Sequence, residues 1–106
     1  MTITVVAPPP PKVKIINPDN GAIYFAPASI YLATVERFFP NPIATVEFLS
    51  GNTVLAVSNT PSFYWKNVPA GAYTLTAVAT DTGGISATSA PVSITVKTNR
   101  PTSRRF

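Results

Sequence analysis

The sequence of 106 residues contains no cysteine and no histidine. Without cysteine the chain cannot form a disulfide, a thiolate zinc site or a thiol nucleophile. Without histidine it lacks the commonest general base and the central residue of Ser-His-Asp and Cys-His arrangements. These two absences exclude most enzyme classes. We therefore predict that the protein is not an enzyme and that it holds no cofactor or catalytic metal.

Acidic residues are also few, with four against eight lysines and arginines. Turn aspartates such as Asp19 and Asp81 are too few for a calcium ion, which takes about six to eight oxygens. Nothing places Glu36 and Glu47 together as a pair of glycosidase carboxylates. The net charge of +4 comes entirely from Lys97, Arg100, Arg104 and Arg105, because the segment 12–96 is neutral. We interpret this basic tail as a solvated terminus and do not expect nucleic acid as a partner.

Long hydrophobic runs are missing as well, because Thr, Ser, Pro and Gly interrupt every apolar stretch. No segment reaches the 18 or so apolar residues of a membrane-spanning helix. The N-terminus has no basic region before its apolar residues and reaches four consecutive prolines at Pro8, so it is not a secretory signal peptide. Any export signal would therefore lie outside this chain.

What the sequence does contain is apolar–polar alternation with a period of two, interrupted by Pro or Gly clusters about every 8 to 12 residues. This pattern is typical of a sandwich or barrel. Together with the family likeness of the segments described below, it predicts an all-β, immunoglobulin-like sandwich of about seven antiparallel strands around one core, with no disulfide. The predicted strands are Lys12–Ile15, Ser29–Val35, Ala44–Leu49, Thr53–Ser58, Ser62–Val68, Tyr73–Thr80 and a last strand that ends at Val96.

Three segments carry a family likeness: Ile15–Ala22, Ala44–Phe48 and Phe63–Asp81. Together they resemble a bacterial Ig-like domain, the type found as tandem accessory modules in secreted and surface proteins of bacteria. The resemblance covers residues 12–96, preceded by a strand-like arm and Pro-rich linker at 1–11 and followed by the basic tail at 97–106. It implies an extracellular or cell-surface location.

Within the third segment we assign structural roles to three residues. Gly71 allows a sharp corner between strands. Tyr73 lies where a tyrosine corner would hydrogen-bond to the preceding backbone, and Trp65 is expected to fill the core in place of the disulfide and tryptophan of antibody domains.

Five residues are candidates for partner binding within the sandwich. The loop at 36–42 departs from the polar turn that the resemblance implies, because it contains Phe38 and Phe39. Either one of the two phenylalanines packs under the sandwich as part of the core, or the pair forms a binding site. Tyr31 and Tyr64 should point outward on neighbouring strands with Lys66 beside them. Such an aromatic patch can stack on a sugar ring or anchor a protein, although an aromatic pair can also simply stabilise a solvated sheet face.

The N-terminal Thr2–Val5 repeats the pattern of Ser93–Val96 in the last predicted strand. It is either the closing strand of a preceding module or an arm that adds to the sheet of another subunit through Ile3 and Val5.

We therefore predict a non-catalytic module that spaces, displays or assembles parts of an extracellular or particle-surface protein. Its partners would be neighbouring Ig-like modules or other protein subunits. The alternatives are a carbohydrate-binding module with a polysaccharide partner, and a phage decoration or filament subunit on a virion surface.

Overall fold

The computed structural model describes residues 10–98 of the chain. This part contains nine β-strands, joined by loops and turns, and no helix. No helix able to cross a membrane is found in this part. The strands are β1 (Lys12–Asn17), β2 (Ile23–Phe25), β3 (Ala28–Arg37), β4 (Ile43–Ser50), β5 (Thr53–Ser58), β6 (Ser62–Val68), β7 (Gly71–Asp81), β8 (Ser86–Thr88) and β9 (Val92–Lys97).

The strands form two sheets that pack as a sandwich. The smaller sheet has the order β1-β3-β6, and the larger has the order β2-β9-β7-β4-β5, with β8 paired to β7. The predicted all-β sandwich is confirmed. The structure adds two three-residue strands, β2 and β8, and β2 runs parallel to β9. Strands this short give no readable alternation, which is why the sequence did not predict them.

Alternation along β3 separates the core from the solvent. Ile30 and Leu32 are 0% and 1% exposed, whereas Tyr31 between them is 40% exposed. The larger sheet contributes Phe48 and Leu75, each 1% exposed, to the same core. The other fully or almost fully buried apolar residues of this core are Val13, Ile15, Ala28, Val46, Val68, Ala77, Ala79, Val92, Ile94 and Val96.

Asp81 ends β7 with its side chain turned inward, 2% exposed. Its Oδ1 accepts hydrogen bonds from the backbone N–H groups of Gly83 (2.8 Å) and Ile85 (2.9 Å). Its Oδ2 has no hydrogen-bond partner within the described chain. The carboxylate therefore shapes the turn between β7 and β8.

A tyrosine corner joins β6 to β7. The Tyr73 hydroxyl donates a 2.6 Å hydrogen bond to the Pro69 carbonyl, and the Trp65 ring meets the Tyr73 ring edge-on at 5.0 Å. Gly71 does not need a left-handed conformation here. A Cβ at this position would instead lie 3.3 Å from the Tyr73 hydroxyl, so a side chain at residue 71 would crowd the tyrosine ring.

Trp65 does not fill the centre of the core as the sequence suggested. It is half-buried and packs against the rim of the core cluster. The reason is its place on β6, which is an edge strand of the smaller sheet. The fully buried aromatic ring of the core is that of Phe48, which stacks on the neighbouring Phe63 of β6 at 6.1 Å.

Replacing Tyr73 with Phe should lower the free energy of unfolding by about 1 kcal/mol, because it removes one hydrogen bond and little packing. Urea denaturation measures this loss. Tyr64→Phe is the matched control, since the Tyr64 side chain is 59% exposed and its hydroxyl lies at the surface of the sheet. Equal midpoints for the two variants would show that the corner does not stabilise the fold.

Stability should also decrease at high pH through Tyr24 on β2. Burial of its ring and the negative charge of Asp19 raise the pKa of Tyr24. The unfolded chain, whose tyrosines titrate near about pH 10, loses this proton first. The contribution is therefore intact below about pH 10 and is lost as the pH rises through the folded pKa. Urea midpoints between about pH 9 and 11.5 should fall more steeply for the wild type than for Tyr24→Phe, and parallel curves would contradict this.

Candidate functional site

An exposed aromatic pair lies on the outer surface of the smaller sheet. Tyr31 on β3 and Tyr64 on β6 are directly opposite in the strand register. Their ring centroids are 4.8 Å apart with a tilt of 46°, and the side chains are 40% and 59% exposed. Lys66 follows two residues after Tyr64 and is also exposed. Tyr31 and Tyr64 thus contact each other and present one combined aromatic surface.

Three further cations cluster on the same surface. Lys12 of β1 is directly opposite Arg37 of β3, and Lys14 is opposite Val35. All three cationic residues are exposed. We call the outer surface of the smaller sheet, with Lys12, Lys14, Arg37, Lys66, Tyr31 and Tyr64, the basic face. Sequence order does not predict this face, because the strand register brings Lys12 opposite Arg37.

The acidic residues of the described segment lie elsewhere. Glu36 alternates to the inner side of β3, where its carboxylate accepts a hydrogen bond from the Thr34 hydroxyl. Glu47 belongs to β4 of the larger sheet, Asp19 lies in the turn after β1, and Asp81 is buried. Within residues 10–98 the basic face therefore carries four of the five lysines and arginines and no carboxylate.

An open groove of about 730 Å³ follows β1 beside the basic face. Lys12, Lys14 and Arg37 line it together with Asp19 in the turn after β1 and with the segment 90–92. The three cations border both the groove and the sheet surface. A ligand that crosses the sheet and enters the groove would thus meet the same three cations there, together with the carboxylate of Asp19.

The two phenylalanines of the loop between β3 and β4 have different environments. Phe39 is half-buried and packs against the core cluster, whereas Phe38 is 52% exposed. Phe38 also has a φ of 65°, in the left-handed region that disfavours residues with a Cβ. Phe39 therefore packs as part of the core, whereas only Phe38 is exposed enough to contact a binding partner.

No arrangement for acid–base or metal chemistry was found in the described part of the chain. Glu36 and Glu47 belong to different sheets, and no group of three potential metal ligands converges there. Ile3 and Val5 of the N-terminal arm lie outside the described residues.

No protein-family model and no curated protein sequence matches this chain. Solved structures do match. Fibronectin(III)-like modules of Clostridium thermocellum CbhA are 29% identical with a TM-score of 0.75, over 80% of this chain and 94% of theirs. The PKD1 domain of Vibrio anguillarum Epp is 17% identical with a TM-score of 0.59, over 87% of this chain and 99% of that domain.

A third match comes from a study of carbohydrate-binding modules of the β-sandwich superfamily, with 19% identity and a TM-score of 0.68. It covers 89% of this chain and 37% of the matched chain. These neighbours are consistent with the bacterial Ig-like domain that the sequence resembles.

The two phenylalanines should respond oppositely to substitution. Phe39→Ala removes buried apolar surface and should lower the free energy of unfolding by about 1 to 3 kcal/mol. Phe38→Gly relieves a left-handed backbone that costs about 1 to 2 kcal/mol, less the greater entropy of glycine in the unfolded chain. We expect an unchanged or slightly higher stability, measured by thermal and urea denaturation. A loss for Phe38→Gly as large as that for Phe39→Ala would show that Phe38 is also a packing residue.

Proposed function

We propose that this Ig-like sandwich domain is a non-catalytic interaction module of a larger extracellular or particle-surface protein, and that it meets its partner through the basic face. The observation that carries the proposal is the exposed contact between Tyr31 and Tyr64. The pair lies on the sheet surface that also gathers Lys12, Lys14, Arg37 and Lys66. Partner surfaces commonly concentrate exposed aromatic and arginine side chains in this way.

The positions of the acidic side chains support a non-catalytic role. A glycosidase-like reaction needs two carboxyl groups facing each other across a substrate. In this domain Asp81 supports a turn and Glu36 is engaged by Thr34, while Glu47 lies on the other sheet. The whole sequence, moreover, contains no histidine or cysteine to act as base or nucleophile.

The structural neighbours support a place within a larger protein. The fibronectin(III)-like match is itself described as modules of CbhA, and this chain covers 94% of the matched module. A sandwich of this size, able to bury its own core, can space or display other domains without contributing chemistry. The location would be extracellular or at the cell surface.

Carbohydrate binding is the second candidate function, and the same tyrosine pair favours it. Tyrosine rings offer an apolar face to the C–H surface of a sugar and a hydroxyl at its edge. The likeness to a carbohydrate-binding module structure concerns the fold alone, so the exposed pair supplies the argument. A virion subunit that assembles through Ile3 and Val5 remains a hypothesis on residues outside the described range.

The proposal is tested with the double variant Tyr31→Ser/Tyr64→Ser. Phe25→Ser on β2 is the matched control, because Phe25 and Tyr64 are both 59% exposed and Phe25 lies on the other sheet. Binding would be measured by affinity electrophoresis and calorimetry against neutral and acidic polysaccharides, and against the chain itself by sedimentation. We expect at least one of these partners to bind the wild type and the control. The double variant should lose about tenfold or more in affinity, the equivalent of about 1.4 kcal/mol.

Two binding results would contradict the proposal. One is the absence of binding to every polymer and to the chain itself. The other is an equal loss of affinity in the control and the double variant, since the tyrosine pair would then have no special role. Hydrolysis of any tested polysaccharide by the purified chain would also overturn the non-catalytic assignment.

A further inference from the structure

The arrangement of charge on the basic face works against folding. Lys12 and Arg37 are directly opposite on neighbouring antiparallel strands, and like charges in this position destabilise a sheet. Lys14 lies two residues from Lys12 on the same surface. No carboxylate among residues 10–98 lies on this surface to offset the repulsion. An anion supplied from outside would relieve it.

The positive groups are spread along the sheet rather than gathered at a point. Along β3, Tyr31 and Arg37 are exposed at the two ends of this surface, whereas Ala33 is buried and Val35 half-buried between them. At about 3.4 Å per residue the tyrosine pair and the Arg37 region lie about 20 Å apart. Lys66 adds a fourth charge on β6, near the tyrosine end. This spacing fits an extended polymer and exceeds the length of a small anion.

From this arrangement we infer that the basic face binds an anionic polysaccharide. One sugar ring stacks on Tyr31 and Tyr64, and acidic groups of the same polymer pair with Lys12, Lys14, Arg37 and Lys66. The inference rests on the proposed function, because it names the class of partner that meets this face. The groove along β1 extends the contact, since its lining holds the three cations Lys12, Lys14 and Arg37 against the single carboxylate of Asp19.

The aromatic geometry favours a polysaccharide over a single-stranded nucleic acid. Proteins that hold single strands use several aromatic side chains, on which successive bases stack. Here the two tyrosine rings contact each other at 4.8 Å and so form one platform. Beyond it, β3 offers no second aromatic ring before Arg37, since Ala33 is buried and Val35 is half-buried and aliphatic. One stacked ring followed by charge contacts matches an acidic sugar polymer.

The test compares polygalacturonate with the same polymer after full methyl esterification, which removes the charge and keeps the sugar backbone. The protein variants are Arg37→Glu and Lys66→Glu, with Lys97→Glu as control. The control makes the same change of charge at an exposed residue of β9, on the other sheet. Because Arg37→Glu places an acid opposite Lys12, it should keep or raise stability, checked by urea denaturation. A loss of binding could then not be attributed to unfolding.

We expect the wild type and Lys97→Glu to bind polygalacturonate and to bind the ester at least about tenfold more weakly. Arg37→Glu and Lys66→Glu should each lose about tenfold or more, since charge-assisted hydrogen bonds contribute about 1.5 to 3 kcal/mol. Raising the ionic strength from about 0.01 M to 0.15 M shortens the Debye length from about 30 Å to 8 Å. This change should also weaken the binding of polygalacturonate to the wild type by about tenfold.

Three outcomes would overturn the inference. Equal affinity for the acid and its ester, lost only with the two tyrosines, would leave the proposed function standing with a neutral polysaccharide as partner. Equal losses in Lys97→Glu and Arg37→Glu would show attraction to net charge rather than a site. Tighter binding to single-stranded oligodeoxythymidine than to polygalacturonate, abolished by Tyr64→Ala, would make nucleic acid the partner.

Discussion

Burial of Ile30 and Leu32 at the centre of the sandwich is the constraint from which the rest of the architecture follows. Both residues belong to β3, the middle strand of the smaller sheet, so β1 and β6 take their registers from it. A slip of one residue would turn these side chains out and bring Tyr31 in. Shifts in register near Ile15 and near Ala28 adjust the neighbouring strands without disturbing this alternation.

The same alternation that builds the core also sorts the charges. Val13 and Ile15 face inward, and successive residues of a strand point to opposite sides. Lys12 and Lys14, which alternate with them, therefore face outward. On β3 the inward position of Glu36 removes its carboxylate from the surface that Arg37 occupies. The segment 12–96 has no net charge, yet its positive side chains gather on one face of the folded domain. Long-range attraction of a charged partner depends on this distribution more than on the net charge.

Much of the fold is readable from the sequence, because hydrophobic burial in a sandwich leaves a period of two in the chain. The tyrosine corner at Tyr73 is also predictable, because the hydroxyl bonds to the carbonyl of Pro69, only four residues earlier in the chain. The outward position of Tyr31 is equally local. The limits appear where position depends on distant residues. Trp65 alternates inward as expected, yet its edge strand leaves it at the rim of the core.

The candidate site was harder to predict for the same reason. Sequence alternation gives the side of a sheet on which Lys12 or Arg37 lies, but not which residue is opposite, since register shifts set that pairing. The division of roles between Phe38 and Phe39 depends on one left-handed residue, and no composition pattern signals it. Neighbouring residues with the same side chain can therefore have opposite roles.

The lysines of β1 also affect the tendency of the domain to self-associate. Among the strands of residues 10–98, β1 has a neighbour on one side only, and an edge strand with free backbone groups invites pairing with another molecule. Lysines on such an edge are a common protection against aggregation. Lys12 and Lys14 would thus repel a second copy of the same strand while attracting a polymer of opposite charge. Any change of these residues that alters ligand preference would alter the tendency to self-associate at the same time.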